Sequence, residues 1–126
     1  MAKILVVTDE PWVRNDVHSA LTSPEHVLID HDDPTSAADA ATSEEVDAVV
    51  VDLQVAAMGG MAVTRAVRDA TSSDADRGVP VVVLLDRRVD AFLAKRAGAA
   101  GWVTKPFSSH QLDSVIDMVL AAPEAE

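Results

Sequence analysis

The sequence predicts an α/β chain of three layers, a doubly wound (βα)5 arrangement in which a five-stranded parallel sheet carries helices on both faces. Three observations carry this. Five short apolar runs have strand length and are rich in β-branched residues without alternating, as strands covered on both faces are. Segments of helical period fall between and after them. A chain of 126 residues suffices for one core but not for two, so the whole alternation belongs to one domain.

Each element can be justified in order. Ile4-Leu5-Val6-Val7 is the first strand, and Val13, Val17, Ala20 and Leu21 mark one face of a first helix. Glu10-Pro11 places proline in the first turn, where its missing N–H costs nothing. Val27-Leu28-Ile29 is the second strand; Asp33-Pro34 then opens an alanine-rich second helix with the stripe Ala37, Ala38, Ala41. Ala48-Val49-Val50-Val51 is the third strand and Val63, Ala66, Val67 and Ala70 are the third helical face. The polar stretch from Thr71 to Gly78 loops back to the fourth strand, Val81-Val82-Val83-Leu84-Leu85. Val89, Phe92 and Leu93 give the fourth helix its apolar positions, and Gly98 is placed to stop it. Trp102-Val103 is the fifth strand. Ser108 and Gln111 have capping-box spacing, after which Leu112, Val115, Ile116, Val119 and Leu120 form a stripe that packs on the sheet. Residues 1–121 are read as the domain and 122–126 as a frayed tail.

Composition excludes several functions. Acidic residues outnumber basic ones 21 to 10, for a net charge of -11, the wrong sign for direct nucleic-acid binding. The absence of cysteine removes disulfides, thiolate metal sites and thiol nucleophiles. No apolar run approaches the roughly 18 residues that cross a membrane, so no membrane contact is expected. The start, Met1-Ala2-Lys3, lacks the features of a secretory signal, and a cytoplasmic location is expected. His18, His26, His31 and His110 are scattered without metal-ligand spacing, and no catalytic triad is suggested. Trp12 is expected to be exposed rather than in the core.

In a doubly wound sheet, ligands bind at the carboxyl ends of the strands near the point where strand order reverses. Those ends read Thr8-Asp9-Glu10, Asp52-Leu53-Gln54, Leu85-Asp86 and Thr104-Lys105-Pro106. Asp9 and Asp52 on neighbouring strands would repel, and a hard divalent cation such as Mg²⁺ would relieve that repulsion. Lys105 would then be a point charge facing whatever anion the metal attracts. Taken singly, each residue has a plainer reading: an Asp at a strand end also serves as a helix cap, and Lys105 as a surface lysine beside a turn.

The stretches Ile4 to Pro11 with Arg14, Asp47 to Leu53 followed by Met58-Gly59-Gly60, Val79 to Leu84, and Ala97 to Phe107 hold a distinctive order and spacing. Across essentially the whole chain they resemble the receiver domain of two-component response regulators, the flavodoxin-like fold of the chemotaxis receiver. The resemblance implies that Asp52 accepts a phosphoryl group from a histidine kinase or phosphotransfer protein. It implies that Asp9, Asp52 and the backbone carbonyl of Gln54 bind Mg²⁺ and that Lys105 contacts a phosphoryl oxygen; the Thr8 hydroxyl, standing in place of an acid, can orient a metal-bound water but brings no charge, so a weaker Mg²⁺ affinity is expected. It implies a cis peptide between Lys105 and Pro106. It makes Trp102 the aromatic switch residue, on a surface of the fourth helix, fifth strand and fifth helix that meets a downstream protein; a homodimer through that face is allowed. The chain would catalyse nothing beyond its own phosphorylation and dephosphorylation.

Departures from the family pattern bear on the switch. Thr8 stands where an acid is usual, Leu85 replaces the hydroxyl that bonds the phosphoryl group, and Asp86 brings a negative charge beside that spot. Ala56 and Gly59 also differ from the usual residues. Two functions therefore stand side by side: a single-domain receiver in a phosphorelay, and an atypical pseudo-receiver that binds partners regardless of phosphate. A dehalogenase-like phosphatase would need a second carboxylate where Gln54 stands, and Asp9-Glu10 would repel the phosphate of a flavin mononucleotide.

Overall fold

The valine-rich runs become β1 (Ala2–Val7), β2 (His26–His31), β3 (Ala48–Asp52), β4 (Val81–Leu85) and β5 (Gly101–Thr104). The helices are α1 (Pro11–Leu21), α2 (Ala37–Ser43), α3 (Gly60–Thr71), α4 (Ala91–Ala97) and α5 (Ser109–Ala121). Short 3₁₀ turns at Pro34–Ser36 and Arg88–Asp90 lead into α2 and α4. The structure is a computed structural model that describes residues 2–53, 59–72 and 78–121. All strand pairs are parallel, in the spatial order β2-β1-β3-β4-β5.

Because successive side chains on a strand point to opposite faces, each strand feeds two cores. Leu5, Val7, Val49, Val51, Val81, Val83 and Leu85 share one with residues of α2, α3 and α4. Ile4, Val6, Val50, Val82 and Leu84 share the other with Val13, Val17 and Leu21 of α1 and Leu112, Ile116 and Val119 of α5. The expected double coverage holds fully for β3 and β4, every residue of which is buried. It does not hold for the edges: β2 is only partly covered, and alternate residues of β5 are half-buried. An edge strand has a neighbour on one side alone, so the helices overhang it less completely.

The expected start and stop signals are present. Pro11 occupies the first turn of α1, and Gly98 closes α4 in the left-handed conformation at φ 99°. Ser108 and Gln111 make the reciprocal capping box: the Gln111 amide donates to Ser108 Oγ at 3.1 Å, and the Ser108 amide donates to Gln111 Oε1 at 2.8 Å. Helix α4 departs from expectation. Val89, Phe92 and Leu93 lie on the outside, 72%, 64% and 48% exposed, while Asp90, Ala94 and Ala97 face inward. The 3₁₀ turn ahead of this short helix sets its rotational phase, and the small alanines let it lie close to the sheet. Arg96 covers part of the exposed face, its guanidinium 5.6 Å from the Phe92 ring centroid. In α3, Ala70 is likewise exposed, whereas Gly60, Val63, Thr64 and Val67 face inward.

Strand order reverses between β1 and β3, since β1 is followed by β2 on one side and flanked by β3 on the other. The chain returns close to the end of β3: the Gly60 amide at the start of α3 donates to the Leu53 carbonyl at 2.8 Å. No side chain fits there. A Cβ on Gly60 would sit 2.6 Å from the Asp52 carbonyl oxygen and 2.8 Å from Leu53 Cα.

Candidate phosphoacceptor site

Register decides which residues meet at the reversal. Val7 pairs with Val51, so Thr8 and Asp52, the next residues, lie side by side. Asp52 pairs with Leu84, and Leu85 pairs with Thr104, which sets Asp86 and Lys105 on the same edge. The Lys105 amide donates to the Leu85 carbonyl at 2.7 Å, tying the end of β5 to β4. The Lys105-Pro106 peptide is cis, as the resemblance implied.

Asp52 is almost wholly buried, at 1% exposed. A buried carboxylate requires partners, and it has them on both oxygens. Thr8 Oγ1 donates to Asp52 Oδ2 at 3.3 Å, and the same hydroxyl oxygen accepts from the Glu10 amide at 3.1 Å. Lys105 Nζ donates to Asp52 Oδ1 at 2.7 Å. Thr8, expected to act through a metal-bound water, thus contacts the acceptor directly. Asp9 is half-buried on the adjoining residue. Gln54, Ala56 and Met58 lie outside the described residues.

Lys105 has a second carboxylate partner, Asp86 Oδ1 at 2.9 Å, so one ammonium bridges two acids. Burial pushes the Lys105 ammonium toward losing its proton, but its hydrogen bonds to Asp52 and Asp86 and their charges outweigh that, and its pKa is raised above the ordinary 10.5. Arg87 and Arg88 follow Asp86 directly in the chain and are exposed. Arg87 pairs with Asp90 at 3.2 Å, three residues along the same turn. The usable signal was the scarcity of cations: Lys105 is the single basic residue at these four strand ends.

Leu85 is fully buried in the core beneath α2, α3 and α4, so packing as well as chemistry separates it from a phosphoryl-binding hydroxyl. Trp102 is half-buried and packs on that same core. Trp12 is 56% exposed, as expected, and Lys105 Nζ lies 5.8 Å from its ring centroid. With Phe107, Asp16, Asp86, Lys105 and Pro106 it lines a cavity of about 230 Å³ beside the site. His31 ends β2 at the same edge, where its carbonyl accepts from the Thr8 amide at 3.2 Å and its ring pairs with Ser36 Oγ at 2.8 Å. His18 pairs with Asp30 at 2.7 Å, and His26, at the amino edge of the sheet, lies with Asp113 and Asp117 in a group whose ligand atoms are within 4.8 Å of one another. That grouping arises from the fold and was invisible in the sequence spacing.

The candidate ligands around the reversal point are all oxygen: Asp52 and Asp86 share the Lys105 ammonium, and a third acid, Asp9, follows Thr8 at the end of β1. Hard oxygen donors with excess negative charge suit a small divalent cation, so the residues present fit Mg²⁺.

The comparisons agree with this geometry. The family model of the response regulator receiver domain matches residues 4–117. The protein PilH of Pseudomonas aeruginosa is 29% identical over 124 residues, covering 96% of this chain and 99% of PilH. Among solved structures, the receiver domain of the sensor histidine kinase PA1611 from P. aeruginosa superposes with a TM-score of 0.82 at 22% identity, covering 96% of this chain and 98% of its own. That structure holds a magnesium ion coordinated in its active-site cleft. The chemotaxis response regulator CheY4 of Vibrio cholerae superposes with a TM-score of 0.80 at 25% identity, over 94% of this chain and 98% of its own. With the parallel sheet order, the buried acid at the reversal and the family match in agreement, this chain belongs to the response regulator receiver domain family.

Proposed function

We propose that this chain is a phosphoacceptor in a phosphorelay, carrying the phosphoryl group on Asp52 and signalling by protein contact. The observation that carries this reading is the enclosure of the Asp52 carboxylate between the Thr8 hydroxyl and the Lys105 ammonium at the point of strand reversal. An Asp52 oxygen forms the new P–O bond as the P–N bond to the donor histidine breaks, and the bonding pair leaves with the imidazole. Lys105 offsets negative charge gathering on the phosphoryl oxygens. Thr8 fixes the other carboxylate oxygen. Mg²⁺, held by Asp9 and Asp52 and, as the resemblance implies, by the Gln54 carbonyl, supplies neutralisation of the phosphoryl oxygens when bound.

A histidine kinase or phosphotransfer protein is the donor. The outgoing surface is the α4-β5-α5 face, with Phe92, Leu93 and Met118 exposed and Trp102 half-buried. Exposed apolar side chains of this size gain from being covered by a partner. The net charge of -11 supports a protein rather than a nucleic-acid target, and a cytoplasmic setting suits such a relay. Among the described residues no helix is long and apolar enough to cross a membrane.

Titration with beryllofluoride, a phosphoryl mimic, tests the proposal, with Trp12 and Trp102 fluorescence and backbone NMR as readouts. A saturable, Mg²⁺-dependent change is expected, weakened at least about 100-fold in Asp52→Asn because the oxygen that binds beryllium is gone. A well-folded wild-type protein that gives no Mg²⁺-dependent response would overturn it.

A further inference from the structure

We propose that Asp86 is a positioning residue: it shares Lys105 in the resting site and yields it when a phosphoryl group arrives, relaying occupation of Asp52 into the turn before α4. This rests on Asp52 being the acceptor. The family's usual relay, a hydroxyl at the end of the fourth strand, is absent here because Leu85 is apolar and locked in the core. Asp86 is the next residue, and it reaches the site through Lys105.

The geometry sets up a competition. An ammonium has three N–H donors, and two are engaged, by Asp52 at 2.7 Å and by Asp86 at 2.9 Å. The two arms are unequal. The Asp52 side chain is 2% exposed and fixed at a strand end, whereas the Asp86 side chain is 34% exposed and begins a loop. A phosphoryl dianion on Asp52 outbids a single carboxylate for the ammonium and repels Asp86 at the same time. The weaker, more exposed arm is the one that gives.

Losing that arm has a defined destination. Asp86 adjoins Arg87, whose carbonyl accepts from the Asp90 amide at 3.0 Å and whose side chain pairs with Asp90. That turn leads directly into α4, which carries the exposed Phe92 and Leu93. Among the described residues, Lys105 is the cation within salt-bridge distance of Asp86, so release leaves the loop without its tether to β5. Asp86 therefore has two effects: it weakens anion binding at Asp52, and it transmits that binding to α4.

Asp86→Asn removes the charge and keeps the shape. We would titrate wild type and variant with beryllofluoride in saturating Mg²⁺, recording the amides of residues 86–97 and the Lys105 Nζ resonance by NMR. The variant is expected to bind beryllofluoride about tenfold more tightly, a gain that structural damage would not produce. Without ligand, its 86–90 amides should already lie toward the wild-type liganded positions, and its Lys105 Nζ resonance should be shifted. Asp86→Ser replaces it if the Asn variant does not fold. Equal affinity with unmoved resting amides, where wild type binds, would overturn it and leave the Asp52 reading intact. Failure of both proteins to bind would overturn the two together.

Discussion

Gly60→Ala is expected to destabilise the protein by about 3 kcal/mol, the upper end for forced overpacking, and to lower its melting temperature by roughly 10 °C. Alanine ordinarily stabilises a helix relative to glycine by only about 1 kcal/mol, so propensity cannot rescue the substitution. The added Cβ would meet backbone, the Asp52 carbonyl oxygen at 2.6 Å and Leu53 Cα at 2.8 Å, and backbone at a strand end cannot swing aside as a side chain can. Relief requires α3 to retreat or the end of β3 to shift, and either moves the acceptor carboxylate. Calorimetry together with beryllofluoride titration checks both halves: a lower melting point and weaker binding are expected. A variant with wild-type stability and affinity would refute the close approach.

Lys105→Met should cost about 3 kcal/mol, the range for breaking a buried ion pair from one side. It leaves Asp52 buried with its Thr8 contact but without its cation. Most of the loss comes from that arm, since the Asp86 carboxylate is exposed enough for water to replace Lys105. The pair also imposes a pH dependence. Because the folded protein raises the Lys105 pKa above 10.5, its contribution is complete below that value and is lost as pH rises through the higher folded one. Denaturant unfolding of wild type should therefore show an alkaline loss of stability that is smaller in Lys105→Met. Parallel pH profiles for the two proteins would contradict the assignment.

Much of this was legible in the sequence because the physics was local. The unbroken valines of β3 and β4 announced burial on both faces, and Ser108 with Gln111 spelled out a cap that needs only three residues of spacing. The acceptor neighbourhood was legible too, since Asp52 and Lys105 follow apolar runs and strand ends converge. What required coordinates depended on rotation and reach. Val89, Phe92 and Leu93 have helical spacing, yet a helical period does not say which stripe faces inward, and Ala94 and Ala97 took that place. Thr8 was legible as a neighbour of the site, but its direct bond to Asp52 depends on register. The pairing of Asp86 with Lys105 depends on the length of a lysine side chain crossing from β5, which no spacing within β4 encodes.

The uneven cover of the sheet has a consequence for how the molecule behaves in a crowd. An outer strand with unpaired amides is a template onto which another extended chain can add, the first step toward aggregation. Here β2 sets the polar side chains His26, Asp30 and His31 along one margin, and β5 at the other is only four residues long. One margin is costly to dry and the other too brief to seed a ladder. Copies of this chain are thereby steered away from joining sheet to sheet, and the helical surfaces remain as the places where association stays reversible.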